Sequence, residues 1–222
     1  GRTLRYMRNR SLRTGNQDYR EADKLRSSSN LSTLTTDKKV EIVLEALIYD
    51  NTDIKLEQVL SIFQLENQQG ISLEKQILAL NMRSALSSIP FDLNEKVLLD
   101  LHRRLMMSID ERSAGNYKLS GNQSQETAAM FEQYSGSWSV LHPVARAAFL
   151  FAEILRIQPF DKGTAEIAFV LLANEMYKAK LPPATFGANQ IPELKAALAS
   201  TAIRGNSSPL VAMILDAVTA NN

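Results

Sequence analysis

Two long apolar helical patterns meet across a short connection, residues 158–163, and such a pair is expected at the buried centre of a helical bundle. In the first pattern Val144, Ala147, Ala148, Phe151, Ile154 and Leu155 make a wide apolar face, and its small residues allow close helix contacts on several sides. The second, Thr164–Lys178, carries Ile167, Phe169, Val170, Leu171, Leu172 and Met176 around most of its surface, so it is expected at the buried centre. The turn between them is Gln158-Pro159-Phe160-Asp161-Lys162-Gly163, running on into Thr164-Ala165-Glu166. Pro159 fixes one backbone angle and Gly163 permits a tight turn into the second helix. The start of that helix should present unpaired N–H groups and a partial positive charge, an arrangement that favours a phosphate.

The rest of the chain continues the helical pattern. Val40, Val43, Leu44, Leu47 and Ile48 follow amphipathic spacing, with Asp37 as a plausible cap. Leu56, Val59, Leu60 and Phe63 make a shorter helix. Ser72 can cap the next, whose buried side is expected from Ile77, Leu80, Ala85, Leu86 and Ile89, with Pro90 ending it. Asp92 is a candidate cap for a helix carrying Val97, Leu98, Leu101, Leu105 and Ile109. His102 lies beside that stripe, where a packed, hydrogen-bonded imidazole is a better reading than a ligand. Residues 111–124 are polar, and Asn116-Tyr117-Lys118-Leu119-Ser120 alternates weakly, as a short strand would. Trp138 reads as an anchor and His142 as a structural residue at a helix start. The tail holds two more helical patterns, through Leu194, Ala197 and Leu198 and through Leu210, Met213, Ile214 and Val218.

Residues 1–36 differ from the rest of the chain. They carry a net charge of +5 in a chain of net +1, and Ser27-Ser28-Ser29-Asn30 reads as a linker. They are expected to form a basic arm, loosely attached, with Leu4, Tyr6, Met7 and Leu12 available to dock. The absence of cysteine excludes disulfides and cysteine-based zinc sites, and two histidines argue against a histidine-rich metal site. Near-neutral charge gives no general argument for nucleic acid, and no apolar run reaches the roughly 20 residues of a membrane helix.

The 158–169 stretch resembles the active-site motif of Fic-domain proteins, HPFx[D/E]GNGRxxR, at Pro159, Phe160 and Gly163. His142-Pro143-Val144, Leu101-His102-Arg103-Arg104-Leu105, Ala114-Gly115-Asn116-Tyr117-Lys118 and Leu181-Pro182-Pro183 resemble further segments of that family, in the family's order. The resemblance runs from about Lys38 to about Leu215. It implies an all-α, Fic-like helical bundle with a short β-hairpin flap at Asn116, Tyr117, Lys118, Leu119 and Ser120, which in the family pairs with an extended segment of a target protein. It divides the chain into the arm and linker (1–36), a helical segment resembling the family's inhibitory-helix region (37–92) and a Fic-like core (93–222). Asp50 and Asn51 stand where the inhibitory motif would carry its glutamate and the residue after it.

The motif's chemical residues are replaced. The family's catalytic histidine corresponds to Gln158, its metal-binding carboxylate to Lys162, its asparagine and second glycine to Thr164 and Ala165, and its two phosphate-facing arginines to Glu166 and Phe169. A glutamine cannot take the proton and an ammonium repels a metal cation. Asp50 facing Glu166 would set carboxylate against carboxylate. The expectation is therefore a pseudoenzyme that binds another protein and uses neither ATP nor Mg²⁺, no other metal or cofactor, and no nucleic acid; a role as a host-interaction effector or regulator is what the resemblance to altered members of that family implies. The alternative is a transferase with altered, non-adenylylating chemistry at Gln158, Asp161, Lys162 and Glu166. Compartment, whether cytoplasm or secretion, and homodimer formation are left open.

Overall fold

The computed structural model describes residues 12–28 and 34–220. Among them are ten α-helices: α1 (Arg20–Ser28), α2 (Thr36–Tyr49), α3 (Leu56–Phe63), α4 (Leu73–Leu86), α5 (Glu95–Leu105), α6 (Gln123–Ser135), α7 (Pro143–Ile157), α8 (Thr164–Lys178), α9 (Ile191–Arg204) and α10 (Ser208–Ala220). None is long and apolar enough to cross a membrane.

Helix α8 is the axis of the fold. Every residue from Thr164 to Met176 is buried, against α7 on one side and α2, α4 and α5 on others. At about 1.5–3 kcal/mol for each large apolar side chain removed from water, the Ile167–Leu172 run is a major source of stability. Its buried polar residues divide into satisfied and unsatisfied. Asn174 brackets Phe91, accepting from its N–H at 2.9 Å and donating to its carbonyl at 3.0 Å. Glu175 accepts a short hydrogen bond from the Tyr134 hydroxyl. Glu166, near the opposite end of the helix, has no such donor.

Helix starts and faces refine the sequence reading. Thr35, not Asp37, caps α2: its backbone is extended and its hydroxyl accepts from Lys38 N–H at 3.2 Å, while Asp37 sits inside the first turn. Asn94, not Asp92, caps α5 by accepting from Val97 N–H at 2.9 Å. Ile109 lies beyond the end of that helix. Ser72 caps α4 as expected. The buried stripe of α4 is Leu78, Ala79, Met82, Ala85 and Leu86, with Ile77 and Leu80 only half-buried.

The β-hairpin flap is not formed. Residues 111–122 are turns and bends around an irregular stretch at 116–118, and among the described residues the one isolated bridge is Arg13 with Asn206. Tyr117 points inward onto Phe160, and the Lys118 N–H bonds to the Pro159 carbonyl at 2.9 Å. This segment is thus held by the motif loop, without a strand beside it.

The arm is docked over its described part. The Arg13 N–H donates to Gly205 and the Arg13 carbonyl accepts from Ser207, at 2.9 and 2.8 Å. Leu12 packs partly buried on the core. His142 caps α7 through Nδ1, stacks on Tyr19 at 3.9 Å and meets Asp23 at 2.7 Å through Nε2. Leu4, Tyr6 and Met7, and Ser29-Asn30 of the linker, lie outside the described residues. One consequence is measurable: His142→Ala should cost about 1–2 kcal/mol, the scale of a lost cap. It should also speed trypsin cleavage after Arg20 and Lys24, seen in a time course against the unaltered chain.

Candidate functional site

The site is built on the α7–α8 connection. Helix α7 ends at Gln158, whose backbone takes a left-handed conformation (φ 52°). Its side-chain amide donates to the Leu155 carbonyl at 2.8 Å, so the group at the motif's first position satisfies a helix end. Phe160, 1% exposed, lies flat between His102 (3.8 Å between ring centres) and Tyr117 (6.0 Å). His102 accepts the Gly115 N–H on Nδ1 at 2.9 Å, which leaves Nε2 protonated to donate to the Lys162 carbonyl at 2.8 Å. Burial pushes this imidazole below the usual histidine range, against the pull of the Lys162 carbonyl and of Asp110. His102 is therefore a neutral tie between α5, the 111–122 segment and the motif loop.

Gly163 occupies φ +85°, and a Cβ there would come within 2.7 Å of Met106 Cε and 3.2 Å of Leu105 Cδ2. Only glycine fits without displacing these side chains. Lys162 points outward, half-exposed, with Nζ 2.9 Å from Glu74. That hydrogen bond, Glu74's charge and Asp110 hold its pKa above the usual lysine value.

Glu166 is the anomaly. Its side chain is 0% exposed and neither carboxylate oxygen meets a donor. Beside it stands Asp50, at the C-terminal cap of α2. Lys75, from the first turn of α4, places Nζ 2.9 Å from Asp50 and 4.0 Å from Glu166. Burial, then the neighbouring Asp50, drives the Glu166 pKa far above the carboxyl range. Burial works against the charge of Lys75, but Asp50, Glu166 and Glu74 outweigh it and keep that amine charged. The carboxylate pair was legible from the motif positions. Lys75 was not, because nothing in the spacing of residues 50, 75 and 166 announces that three helices converge there.

Around the connection lies a cavity of about 720 Å³. Tyr49, Asp50 and Asn51 form one wall, Glu74 and Lys75 a second, Arg156, Gln158 and Asp161–Ala165 a third, and Lys195 with Leu198 and Ala202 a fourth. The uncapped start of α8, Gly163 to Ala165, opens into it. Most of its charges are paired internally: Lys75 with Asp50, Lys162 with Glu74, Arg156 with Glu153 and Glu126. Lys195 meets the Asn51 side-chain oxygen at 3.3 Å and lies 5.0 Å above the Tyr49 ring. Phe169 is elsewhere, edge-on to Phe151 and Tyr49 in the core. Of the expected flap residues, Tyr117 and Lys118 touch the loop, Asn116 bonds to the Arg112 carbonyl, and Leu119 is fully exposed.

The family model described as Fic/DOC family matches residues 92–176, the span from just before α5 to near the end of α8 that contains this loop. Over those residues the chain is similar to the Fic/DOC family. The fold of the longer chain agrees. Fic-1 (aa134–508) from C. elegans is similar with a TM-score of 0.78 at 18% identity, over 98% of this chain and 69% of that one. A Fic family protein from Desulfovibrio desulfuricans G20 gives 0.71 at 17% identity, over 91% and 70%. A Fic domain containing signaling protein from Bacteroides thetaiotaomicron VPI-5482 gives 0.72 at 16%, over 91% of both. At these identities the likeness is one of fold. No curated protein matches the sequence. The side chains present do not fit a magnesium–nucleotide complex. An ammonium paired to Glu74 stands at the position the Fic motif gives a metal-binding carboxylate, and an unpartnered buried carboxyl stands at that of a phosphate-facing arginine.

Proposed function

We propose that this chain is a Fic-fold protein that transfers no nucleotide and acts by binding another protein, as a regulator or a host-interaction effector. The observation that carries this reading is the occupation of the site's polar groups by structural contacts. Gln158 is spent on Leu155, Lys162 on Glu74, and Glu166 is sealed behind Asp50 and Lys75. Transfer to a hydroxyl needs a base, a charge carrier on the phosphates and cations where negative charge develops. None of these three side chains is left to supply them. The binding surface in this reading is the 116–120 segment, where Leu119 is fully exposed beside residues anchored on Pro159 and Phe160.

The test is incubation with ATP labelled on the α-phosphate, divalent metal and mixed acceptor proteins. We expect no label on any protein above a blank, and none from Gln158→His alone, because a restored base still lacks the phosphate-binding cations. Labelling that depends on the native chain would overturn the reading. Once a partner is in hand, Leu119→Arg should weaken its binding by about tenfold or more, the scale of a lost apolar anchor, with the melting temperature unchanged.

A second reading, a transferase with altered chemistry, is favoured by one observation. The cavity stays open at the bare start of α8 with Lys162 on its wall, and Phe169 does not fill it. Glu166, a residue that reading would use, does not line the cavity. Label transferred from a donor other than ATP would support it.

A further inference from the structure

We propose that Glu166 carries a proton at neutral pH, shares it with Asp50, and so latches the end of α2 onto the first turn of α8 until alkaline conditions remove that proton. The geometry makes the case. Glu166 has no access to water, and neither of its oxygens makes a well-formed hydrogen bond, the Lys75 ammonium standing off at 4.0 Å. Two carboxylates form a hydrogen bond only through a proton held between them. With both ionised, one ammonium would serve two buried or half-buried carboxylates, and one charge would stand uncompensated in the interior, an unfavourable arrangement. With Glu166 protonated the cluster is neutral: Lys75 pairs with Asp50, and Glu166 donates to Asp50.

The neighbouring groups leave Glu166 no other source of compensation. From α2 comes Asp50, and from α4 comes Lys75 with Glu74 beside it. The charged groups of α7, Glu153 and Arg156, bind each other and Glu126. His102 of α5 is neutral and spent on Gly115 and Lys162. Within α8, the first-turn backbone lowers the Glu166 pKa, but by less than burial and Asp50 raise it.

The raised pKa sets the sign of the pH dependence. The latch contributes fully below the ordinary carboxyl range, where the unfolded chain is protonated too, and is lost as pH rises through the folded-state pKa. Ionised Glu166 then repels Asp50, and Tyr49–Asn51, one wall of the cavity, lose their hold on α8. This gives the cleft a proton-controlled wall whether or not any group is transferred there.

Two measurements on the full chain test it. The infrared difference spectrum between the native chain and Glu166→Gln at neutral pH should contain the C=O band of a protonated carboxyl. Hydrogen exchange of the last turn of α2, corrected for its intrinsic base catalysis, should accelerate by about tenfold or more between about pH 6 and about pH 9 in the native chain. It should stay flat in Glu166→Gln. Asp50→Asn, at a partly exposed position that should not hinder folding, should also be flat, because an ionised Glu166 then pairs with Lys75 alone. Absence of the carboxyl band, or acceleration that persists in Asp50→Asn, would overturn the proposal.

Discussion

Phe160→Ala should lower the stability of the chain by about 3–5 kcal/mol, the range for truncating a buried aromatic ring. For a chain of this size that corresponds to a fall in melting temperature of roughly 6–20 °C. The ring is 1% exposed and is stacked between His102 and Tyr117. Its loss opens a cavity and also frees the two elements it joins, α5 and the 111–122 segment. The effect should appear in two places: in the global denaturation curve, and as faster amide exchange at Gly115 and Lys118, whose N–H groups bond to His102 and Pro159. A change below about 1 kcal/mol, the level of a surface substitution, would mean that the motif loop is not anchored in the way described.

Gly163→Ala should cost about 1–3 kcal/mol, from a left-handed backbone that disfavours a Cβ and from overlap with Met106 and Leu105. Gly70→Ala separates the two contributions. Gly70 has a similar φ of +83° but nothing within 4 Å of the added Cβ. The difference between the two urea midpoints, at equal slope, is then the packing part. Gly163→Ala must be the more costly variant if Met106 and Leu105 close on that turn.

The scaffold was legible where the physics is local. The apolar circumference of Thr164–Lys178 announces a central helix, and the structure buries every residue from Thr164 to Met176. Ser72 announces a cap. Where two neighbouring residues compete, sequence order did not decide. Thr35 took the capping role from Asp37, and Asn94 from Asp92, because the cap needs an extended backbone as well as an oxygen. The flap differs for a related reason. Alternation over Asn116–Ser120 resembles a strand, but a strand needs a partner, and Tyr117 is drawn to Phe160 instead.

The site was legible only as a set of replacements. Motif positions identify Gln158, Lys162 and Glu166 without saying what each touches. That Lys162 reaches Glu74, that Gln158 caps α7, and that Lys75 joins Asp50 and Glu166 are properties of the folded chain, most of them joining helices far apart in sequence. The docking of the arm through Tyr19, Asp23 and His142 is of the same kind: each residue is ordinary alone, and the cluster exists only in the fold.

Calorimetric titration of the purified chain with ATP, with and without Mg²⁺, tests the central claim most directly. The account predicts no saturable heat in either case, because the motif's cation positions hold a buried carboxyl and an aromatic ring, and Lys162 is already paired. Saturable binding that strengthens with Mg²⁺ would contradict it, and would mean that the cavity beside α8 still receives a nucleotide.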